Sequence, residues 1–516
     1  MKPTSIKDVR RAGARVTRLW SRLGPASLRL SLCVVALAWC SAEVTARSIE
    51  AEIKVTSLSP PRVRVEGRSN TPSAAWSFLD SYAGIGGLAA RIENFSLADE
   101  RGQEIAVRRA GAGRYEAERP ATSFAYDLRL DAPAGIQAAA HVSWLADDRG
   151  VLLPGDLLPL VAGKARLRLT LPGGWTVSTV ERRATAGHFE VEDAGRSAFV
   201  CGRALRERRG RAGGVAYVLA LSGQWAFGDA EAAESVAEVL KLHAAAAGTW
   251  PSGEALVALL PPPRQAGAAQ WAAETRGRTV TLVSGQSPSK LAALAQLDGA
   301  LAHELFHLWV PNSLRLTGDY AWFYEGFTNY QALLVGMRRG QLGFRDYLNA
   351  LGRAYDAYKA ARGPNEPSLA ASGESRWSGG PALVYHKGLL VAFLYDLTLG
   401  LRSGGRQSLA DAYRDLFRRH SGTATPAEAN SAVVAALART AGDRAFVEKY
   451  VLGPVTLVLQ DELAAFGLRV EPGGVRTHVA VSDSLTREQR DLLKKFGYNE
   501  KLEAGPRQPH QSSRGR

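Results

Sequence analysis

Two histidines that flank a glutamate are the clearest chemical signal in this sequence. The segment His303-Glu304-Leu305-Phe306-His307 sets its histidines four residues apart, which on an α-helix leaves them about 40° apart on one face. Neutral imidazoles are good Zn²⁺ ligands, and a glutamate between them lies close enough to take a proton from water bound to the metal. The spacing therefore predicts a hydrolytic zinc site. Two buried histidines on a packed helix are the alternative.

A catalytic zinc needs a third protein ligand and one position left open for water. Glu325 is the candidate, because it stands eighteen positions after His307 among aromatic residues, in WFYEGFTNY, where an unpaired carboxylate would be costly to bury. Asn329 follows one helical turn later. It could orient a metal ligand from behind, or it could be an ordinary residue of the helix face.

Hydrophobic periodicity predicts the helices that position these residues. One helix is expected from Lys290 to about Trp309 and a second from about Tyr320 to Arg339, joined by a tight turn at residues 317–319. Two helices joined in this way pack against each other, which would bring Glu325 back to the histidines.

The rest of the chain divides by its hydrophobic pattern. Alternation with period two from Ile49 to about Leu221 predicts an antiparallel β domain, and the change of period near residue 229 begins a mixed α/β region. Residues 363–381 are rich in Gly, Ser and Pro, which predicts a loop at the lip of the site. Residues 385–466 follow a mostly helical pattern.

Three segments, HELFH, WFYEGFTNY and VYHKGLLVAFLYDL, together resemble the glycyl aminopeptidase family of zinc metallopeptidases, in the gluzincin group with aminopeptidase N. The resemblance covers roughly residues 216–468 and implies a thermolysin-like catalytic domain. It implies zinc as the cofactor, with His303, His307 and Glu325 as ligands and Glu304 as general base. It also implies that Tyr385, in the Tyr-x-Lys-Gly segment, donates a hydrogen bond to the tetrahedral intermediate. Helix packing is the alternative for Tyr385.

The same resemblance implies a substrate-binding role for Glu274. Members of the family bind the free α-amine of the substrate through a glutamate just before a strand, and Glu274 aligns with it. The glycines that precede that glutamate in the family are replaced by Ala272 and Ala273, and a solvated glutamate at a loop end is the alternative. His386, beside the family tyrosine, is expected to be structural. Residues after 468 are too few and too polar to form the PDZ domain that many members carry.

Composition excludes several classes of protein. Of 516 residues, 46% are hydrophobic and 22% are charged, which is ordinary globular usage and argues against disorder or a coiled coil for most of the chain. The net charge of +14 comes from 64 basic and 50 acidic residues, yet residues 1–29 alone hold eight basic residues and one acidic residue. Because half of the excess lies in this segment, we expect no nucleic-acid partner.

The basic segment begins a pattern typical of a signal peptide. An uncharged run from Leu30 to Ala42 follows it, then small residues up to Ala46. Thirteen residues reach about 20 Å, less than the roughly 30 Å of a hydrocarbon layer. We therefore predict cleavage and export to the periplasm or the extracellular space, with an uncleaved membrane anchor as the alternative and no other stable membrane partner. Cleavage would leave Cys201 as the only cysteine, so no internal disulfide is expected.

These patterns predict an α+β multidomain fold. We expect a signal peptide at 1–46, an N-terminal β-sandwich-like domain at 47–225, a thermolysin-like catalytic domain at 226–400, a C-terminal helical domain at 401–500 and a disordered tail at 501–516. The expected function is an exported zinc aminopeptidase that acts on peptides, with small N-terminal residues suggested by the family resemblance. The alternatives are a gluzincin endopeptidase, if Glu274 does not face the site, and a peptide-binding protein that keeps the fold without turnover.

Overall fold

The computed structural model describes residues 48–160, 163–363, 365–377, 381–422, 424–471 and 475–499. The predicted signal peptide and C-terminal tail lie outside the described residues, and so do positions 364 and 378–380 of the predicted lip loop. Among the described helices, none combines the length and the apolar character needed to span a membrane.

The N-terminal region contains a large sheet. In the described part of the chain it has nine strands; eight of them follow the spatial order Arg182–Thr185, His188–Val191, Lys164–Thr170, Ser48–Leu58, Pro61–Ser77, Arg114–Arg129, Ile92–Ala98 and Glu104–Ile105, and Val107–Gly111 pairs with Arg114–Arg129. Neighbours are antiparallel, as predicted, with one exception: Ser48–Leu58 and Lys164–Thr170 run parallel. A parallel pair needs a long connection, and the hundred or so residues between these strands supply it, which period-two alternation alone does not reveal.

A smaller sheet covers the large one. Its strands, in spatial order, are Thr176–Ser178, Phe199–Gly202, Arg149–Leu152 and Trp144–Leu145. Buried side chains of both sheets, such as Ile49 and Leu128 from the large sheet and Phe199 and Cys201 from the small one, form a single core. This packing gives the β-rich region the two-layer arrangement of a sandwich.

A third sheet, here called the site sheet, belongs to the α/β region. Its order is Arg206–Ala212, Val215–Leu221, Ala255–Leu260, Thr279–Ser284 and Trp271–Arg276. The three middle strands run parallel and the two outer strands antiparallel to their neighbours. The first two strands precede residue 225, where the sequence pattern set a domain boundary, and they pair with this sheet.

Helices cover one face of the site sheet, and the β-rich region covers the other. The central strand Ala255–Leu260 is buried on both sides: Val257 and Leu259 join the helical core, whereas Ala258 and Leu260 join a cluster with Trp144. A strand covered on both faces reads as a continuous apolar run. The principal α-helices span Asp229–Ala247, Lys290–Glu304, Thr328–Arg338, Phe344–Ala361, Gly388–Arg402, Leu409–His420, Ala429–Ala441 and Arg487–Lys495.

The predicted helix from Lys290 begins as expected but changes near its end. Ser289 caps it by accepting a hydrogen bond from the Ala292 N–H at 3.3 Å. The α-helix ends at Glu304 and continues as a 3₁₀ turn over Leu305–Leu308. The helical stretch thus extends about as far as predicted, but its last turn is 3₁₀ rather than α.

The second predicted helix contains a wider turn. Trp322–Phe327 is a π-helix that leads into the α-helix Thr328–Arg338, and a second π-helix, Leu383–Lys387, leads into Gly388–Arg402. We call these two of the three described π-helices the Glu325 segment and the Tyr385 segment. Periodicity does not reveal π-turns, which are rare and often mark functional sites.

The remaining elements are short. Two-residue or three-residue strand pairs join Ser81–Tyr82 to Ile85–Gly86, Leu316–Thr317 to Ala427–Glu428, and Leu468–Val470 to Val479–Val481. Short helical turns of α, 3₁₀ or π type lie at Leu88–Arg91, Ile136–Ala139, Pro154–Leu157, Ala194–Arg196, Ala370–Ser375, Ala445–Val447, Glu448–Leu452, Leu459–Leu463 and Ala464–Phe466. The mixed α+β architecture and the helical C-terminal region agree with the prediction.

Candidate active site

Three side chains that could ligate a metal ion meet at the end of the Lys290–Glu304 helix. The Nε2 atoms of His303 and His307 lie 3.1 Å apart. Oε2 of Glu325 lies 3.3 Å from the first and 3.7 Å from the second. Within the described ranges, these residues are the one group of three or more His, Cys, Asp or Glu side chains close enough to share a metal ion. We call them the metal cluster.

The donor set and its spacing fit zinc. Zn–N bonds of about 2.0–2.1 Å and Zn–O bonds of about 2.0–2.2 Å in a tetrahedron place ligand atoms about 3.3–3.5 Å apart. The three observed separations, 3.1, 3.3 and 3.7 Å, bracket this value. Two imidazoles and one carboxylate also match the three-ligand sets of catalytic zinc sites. His303, His307 and Glu325 would therefore hold the ion.

Charges in the cluster favour binding of a cation. Burial acts to raise the pKa of Glu325, but the hydrogen bond to His303 and the nearby His307 and Arg376 outweigh it and lower that pKa to about 2. Burial acts to lower the pKa of His303, whereas Glu325 and Glu304 outweigh it and raise that pKa. The group thus carries excess negative charge that a proton or a metal ion can neutralise, and zinc binding would displace the proton.

Each imidazole has a partner outside the metal cluster. Nδ1 of His307 lies 2.9 Å from the Val310 carbonyl oxygen. A carbonyl only accepts, so this contact puts the proton on Nδ1 and leaves the Nε2 lone pair facing the cluster. Asn329 lies close enough to His303 to act on that imidazole, raising its pKa. This contact fits the orienting position that the sequence allowed for Asn329, rather than a residue on an exposed helix face.

Glu304, the predicted general base, is buried beside the metal cluster. It lines the same cleft as His303, His307 and Glu325. The hydroxyl of Thr275 lies 2.8 Å from Oε2 of Glu304 and 2.9 Å from its backbone carbonyl oxygen. Thr275 belongs to the edge strand of the site sheet, so this strand fixes the orientation of the Glu304 carboxylate.

Tyr385 belongs to the Tyr385 segment and lines the same cleft as the edge strand. Burial raises its pKa and the charge of Glu325 raises it further, while Arg376 acts in the opposite direction and does not cancel them. The hydroxyl therefore keeps its proton at neutral pH. It can donate a hydrogen bond to an oxygen that gains negative charge near the metal cluster.

Two glycines set the distance between the Glu325 segment and the Tyr385 segment. A Cβ placed on Gly326 would lie 2.6 Å from both Gly388 Cα and the Val384 carbonyl oxygen. A Cβ on Gly388 would lie 2.8 Å from the Trp322 carbonyl oxygen. Only glycine permits this approach of backbone to backbone, which brings the third metal ligand and the tyrosine into one site.

Glu274 lies in the edge strand Trp271–Arg276, which pairs with Thr279–Ser284. Glu274 is therefore not the solvated residue at a loop end that was the alternative. Alternation is broken by two neighbouring alanines, so the sequence pattern did not predict this strand. Glu274 lines the same cleft as the metal cluster, as its alignment with the family requires.

Three residues surround the Glu274 carboxylate. The Tyr82 hydroxyl donates a hydrogen bond to Oε1, whereas His141 Nδ1 and Arg276 Nε each lie 3.1 Å from Oε2. Burial acts to raise the pKa of Glu274, but His141, Arg276 and Tyr82 outweigh it and hold that pKa below its usual value. We call these four residues the Glu274 cluster.

Sequence analysis missed the partners of Glu274. No motif surrounds Tyr82 or His141, which come from the β-rich region and reach the cleft through tertiary structure. Arg276 had one available signal, because residues two apart on a strand point to the same face. His386, expected to be structural, lines the cleft, and burial lowers its pKa.

The cleft itself is large and has aromatic edges. Its volume is about 1410 Å³, and Trp271 and Trp377 line it with 38% and 51% of their surface exposed. A cleft of this size can hold several residues of an extended peptide.

Comparison with solved structures identifies the class of fold. An aminopeptidase N family protein from Idiomarina loihiensis superposes with a TM-score of 0.69 at 18% identity, over 82% of this chain and 79% of that one. An M1 zinc metallopeptidase from Deinococcus radiodurans, in a mutant form bound to a Tyr-Ser-Ala substrate, gives a TM-score of 0.53 at 16% identity, over 80% and 94% of the two chains. The protein therefore has the fold of aminopeptidase N-like metallopeptidases.

The family is indicated by the segment that carries the site. Residues 296–387 match the family model of the M61 glycyl aminopeptidases, which confirms over this segment the resemblance predicted from the sequence. The match includes the metal cluster, Glu304 and Tyr385. No curated protein is significantly similar to the chain.

Proposed function

We propose that the protein is an exported zinc metallopeptidase of the aminopeptidase type, which removes N-terminal residues from peptides. One observation carries the proposal: two imidazoles and a carboxylate converge with zinc-like spacing in a cleft that also holds Glu304, Tyr385 and Glu274. The family match over residues 296–387 supports the same class of reaction.

The side chains divide the work of peptide hydrolysis. Zinc, when bound, would polarise the substrate carbonyl and lower the pKa of a water molecule. Glu304 accepts a proton from the attacking water and returns it to the leaving amine, oriented for this by Thr275. Tyr385 donates a hydrogen bond to the oxygen that develops negative charge. Glu274 binds the α-ammonium group and so places the first peptide bond beside Glu304.

Two finer parts of the proposal come from the sequence. The resemblance to glycyl aminopeptidases suggests small N-terminal residues such as Gly or Ala in the substrate. The segment 1–46 suggests export with removal of a signal peptide, for which N-terminal sequencing of the protein recovered from outside the cytoplasm is the test. A mature chain that begins at Arg47 is expected, and a chain that still carries residues 1–46 would contradict cleavage.

An endopeptidase is the second candidate, and a specific observation favours it. Glu274 already has a buried cation beside it, because Arg276 lies 3.1 Å away with only 6% of its side chain exposed. A carboxylate whose charge is balanced attracts an α-ammonium group less strongly. If Arg276 neutralises Glu274 enough to prevent binding of the α-ammonium group, the roughly 1410 Å³ cleft would accept peptides with blocked N termini as readily as free ones.

The decisive experiment compares the wild type with Glu304→Gln. Zinc content is measured by elemental analysis, and cleavage is measured on alanyl and glycyl peptides with free or acetylated N termini. We expect both proteins to hold zinc, and the variant to lose about 10²- to 10⁴-fold in kcat because the general base is missing. Equal activity of the two proteins would refute the mechanism. Equal cleavage of free and acetylated peptides by the wild type would replace the aminopeptidase proposal with the endopeptidase one.

A further inference from the structure

A half-buried arginine contacts the metal cluster through the carboxylate oxygen of Glu325 that does not face the histidines. Nη2 of Arg376 lies 3.0 Å from Oε1 of Glu325, and its Nη1 donates a hydrogen bond of 2.7 Å to the Tyr324 hydroxyl. The guanidinium carbon lies 5.9 Å from the ring centre of Tyr385, and its positive charge acts to lower the pKa of that hydroxyl. Arg376 therefore touches both the third metal ligand and the candidate oxyanion donor.

The contact leaves the metal-facing oxygen free. Oε2 of Glu325 faces the two imidazoles at 3.3 and 3.7 Å, whereas Arg376 binds the other oxygen, Oε1. The guanidinium thus does not occupy the position between the three ligand atoms. Because it holds one oxygen, it fixes the rotation of the carboxylate and leaves a single oxygen directed at the histidines.

Arg376 is itself held in place at the lip of the cleft. Its side chain is 17% exposed and stacks on Trp377, with the guanidinium carbon 4.2 Å from the ring centre. The preceding turn, Ala370–Ser375, packs against Asp319 at Gly373. A Cβ on Gly373 would lie only 2.7 Å from Asp319 Oδ1. Asp319 in turn accepts a hydrogen bond of 2.8 Å from the Ala321 N–H, just before the Glu325 segment. The lip and the ligand segment are therefore packed together.

We propose that Arg376 is a positioning residue that holds Glu325 as a one-oxygen metal ligand and keeps Tyr385 beside it. Its effect on turnover rests on the proposed function, whereas its effect on metal binding rests on the cluster alone. Partners that orient metal ligands from outside commonly contribute about 10- to 100-fold to metal affinity or activity.

Charge and orientation predict opposite effects of removing this arginine. If Arg376 acted only as a positive charge near a cation site, its loss would strengthen zinc binding because a repulsion is removed. If it acts by orienting Glu325, its loss weakens zinc binding even though the repulsion is gone. The direction of the change in zinc affinity therefore separates the two roles.

The test uses the full chain with Arg376→Met, Arg376→Lys and the control Arg362→Met. Arg362 is exposed at the end of the Phe344–Ala361 helix, so the control makes the same change of residue type away from the cleft. Zinc dissociation constants are measured by competition with a chelator. We expect about 10- to 100-fold weaker binding for Arg376→Met, a smaller loss for Arg376→Lys, and no change for the control. Unchanged or tighter zinc binding by Arg376→Met would overturn the proposal.

Turnover at saturating zinc tests whether Arg376 also acts through Tyr385. We expect Arg376→Met to lower kcat more than it changes KM, and added guanidinium ions to restore part of the loss. If Arg376 acts through Tyr385, the double variant Arg376→Met/Tyr385→Phe should be scarcely slower than Tyr385→Phe alone. Fully additive losses would contradict that part. A wild type that cleaves no peptide, with zinc binding still weakened by Arg376→Met, would refute the proposed function and leave the ligand-positioning inference standing.

Discussion

The metal cluster and the Glu274 cluster lie in the same cleft but are assembled differently. The metal cluster draws all its ligands from residues 303–325, on two packed helical segments. Glu274 instead hydrogen-bonds Tyr82, a residue 192 positions away in the β-rich region. The arrangement of the three candidate ligands therefore depends on local helix geometry, whereas the environment of Glu274 depends on how the β-rich region packs against the site sheet.

The two clusters also differ in their charge balance. Glu325 faces two imidazoles that a metal ion would use, and Arg376 meets only its outer oxygen. Glu274 is enclosed by Arg276, His141 and Tyr82 before any ligand arrives. The first cluster is built to receive a cation. The second holds a carboxylate whose charge is largely compensated. The affinity of Glu274 for an α-ammonium group is therefore the quantity to measure.

The largest expected effect concerns that compensated charge. Glu274→Gln should lower kcat/KM for free-amine peptides by about 10- to 100-fold, mainly through KM, because a hydrogen bond to a charged group contributes about 1.5–3 kcal/mol. Acetylated peptides, which carry no ammonium group, provide the matched control and should be affected little. Zinc content should stay unchanged. An equal loss on free and acetylated peptides would remove Glu274 from amine recognition and erase the proposed contrast between the clusters.

A smaller effect is expected at the metal end of the cleft. Gly326→Ala would force a Cβ to 2.6 Å from the Gly388 backbone, and overpacking of this kind costs about 1–3 kcal/mol in the free energy of unfolding. The strain should also separate Glu325 from Tyr385 and lower kcat. Urea unfolding and steady-state kinetics measure the two effects.

Gly299→Ala is the matched control for that variant. Gly299 lies in the Lys290–Glu304 helix, and a Cβ added there would meet no neighbouring atom within 4 Å. Alanine is favoured over glycine in a helix by about 0.5–1 kcal/mol, so this change should leave the protein as stable or more stable. Equal destabilisation by both changes would show that the close backbone approach at Gly326 is not the cause of the lost stability.

The smallest expected effect is a pH dependence of stability at Glu274. Its pKa in the folded protein is held below the ordinary 4.5 by His141, Arg276 and Tyr82, against the opposing effect of burial. A depressed carboxyl pKa stabilises the fold above the unfolded value, and that stabilisation is lost as the pH falls through the folded value. The difference in the free energy of unfolding between the wild type and Glu274→Gln should therefore be constant near neutral pH and shrink below about pH 4.5.

Urea unfolding of the two proteins across that pH range measures the difference. The Gln variant carries no titrating group at this position, so it subtracts the pH dependence of every other carboxylate. A difference that grows as the pH falls would contradict the assignment, because it would mean that the native carboxyl binds its proton more tightly than the unfolded one.

The sequence predicts the metal cluster well because its information is local. His303 and His307 are fixed by helical spacing, and the aromatic surroundings of Glu325 mark a buried carboxylate that needs a partner. The change of period near residue 229, where the mixed α/β region begins, follows from composition for the same reason, whereas the edge strand Trp271–Arg276 does not. Even there, the 3₁₀ turn under His307 and the π-turn under Glu325 escape periodicity, since both change the number of residues per turn without changing residue type.

The remaining site residues depend on contacts between distant parts of the chain. Tyr82 and His141 carry no motif, and their position follows from the packing of the β-rich region on the edge strand. Arg376 lies in a segment whose composition predicts a loop at the lip, yet composition does not say which side chain of a loop turns inward. Periodicity of one segment cannot report such pairings, because each requires the position of a second segment.

The two π-turns have a consequence for insertions and deletions. A π-turn holds one residue more than the α-turn it replaces, so each of Trp322–Phe327 and Leu383–Lys387 corresponds to a single inserted residue in an otherwise regular helix. Deleting one residue from the first would restore ordinary helix and leave the residues on its two sides close to their present relative orientation, because residues paired five apart would then be paired four apart. A homologue with an uninterrupted helix at that place would have one residue fewer there, and an alignment with this chain would show a one-residue gap.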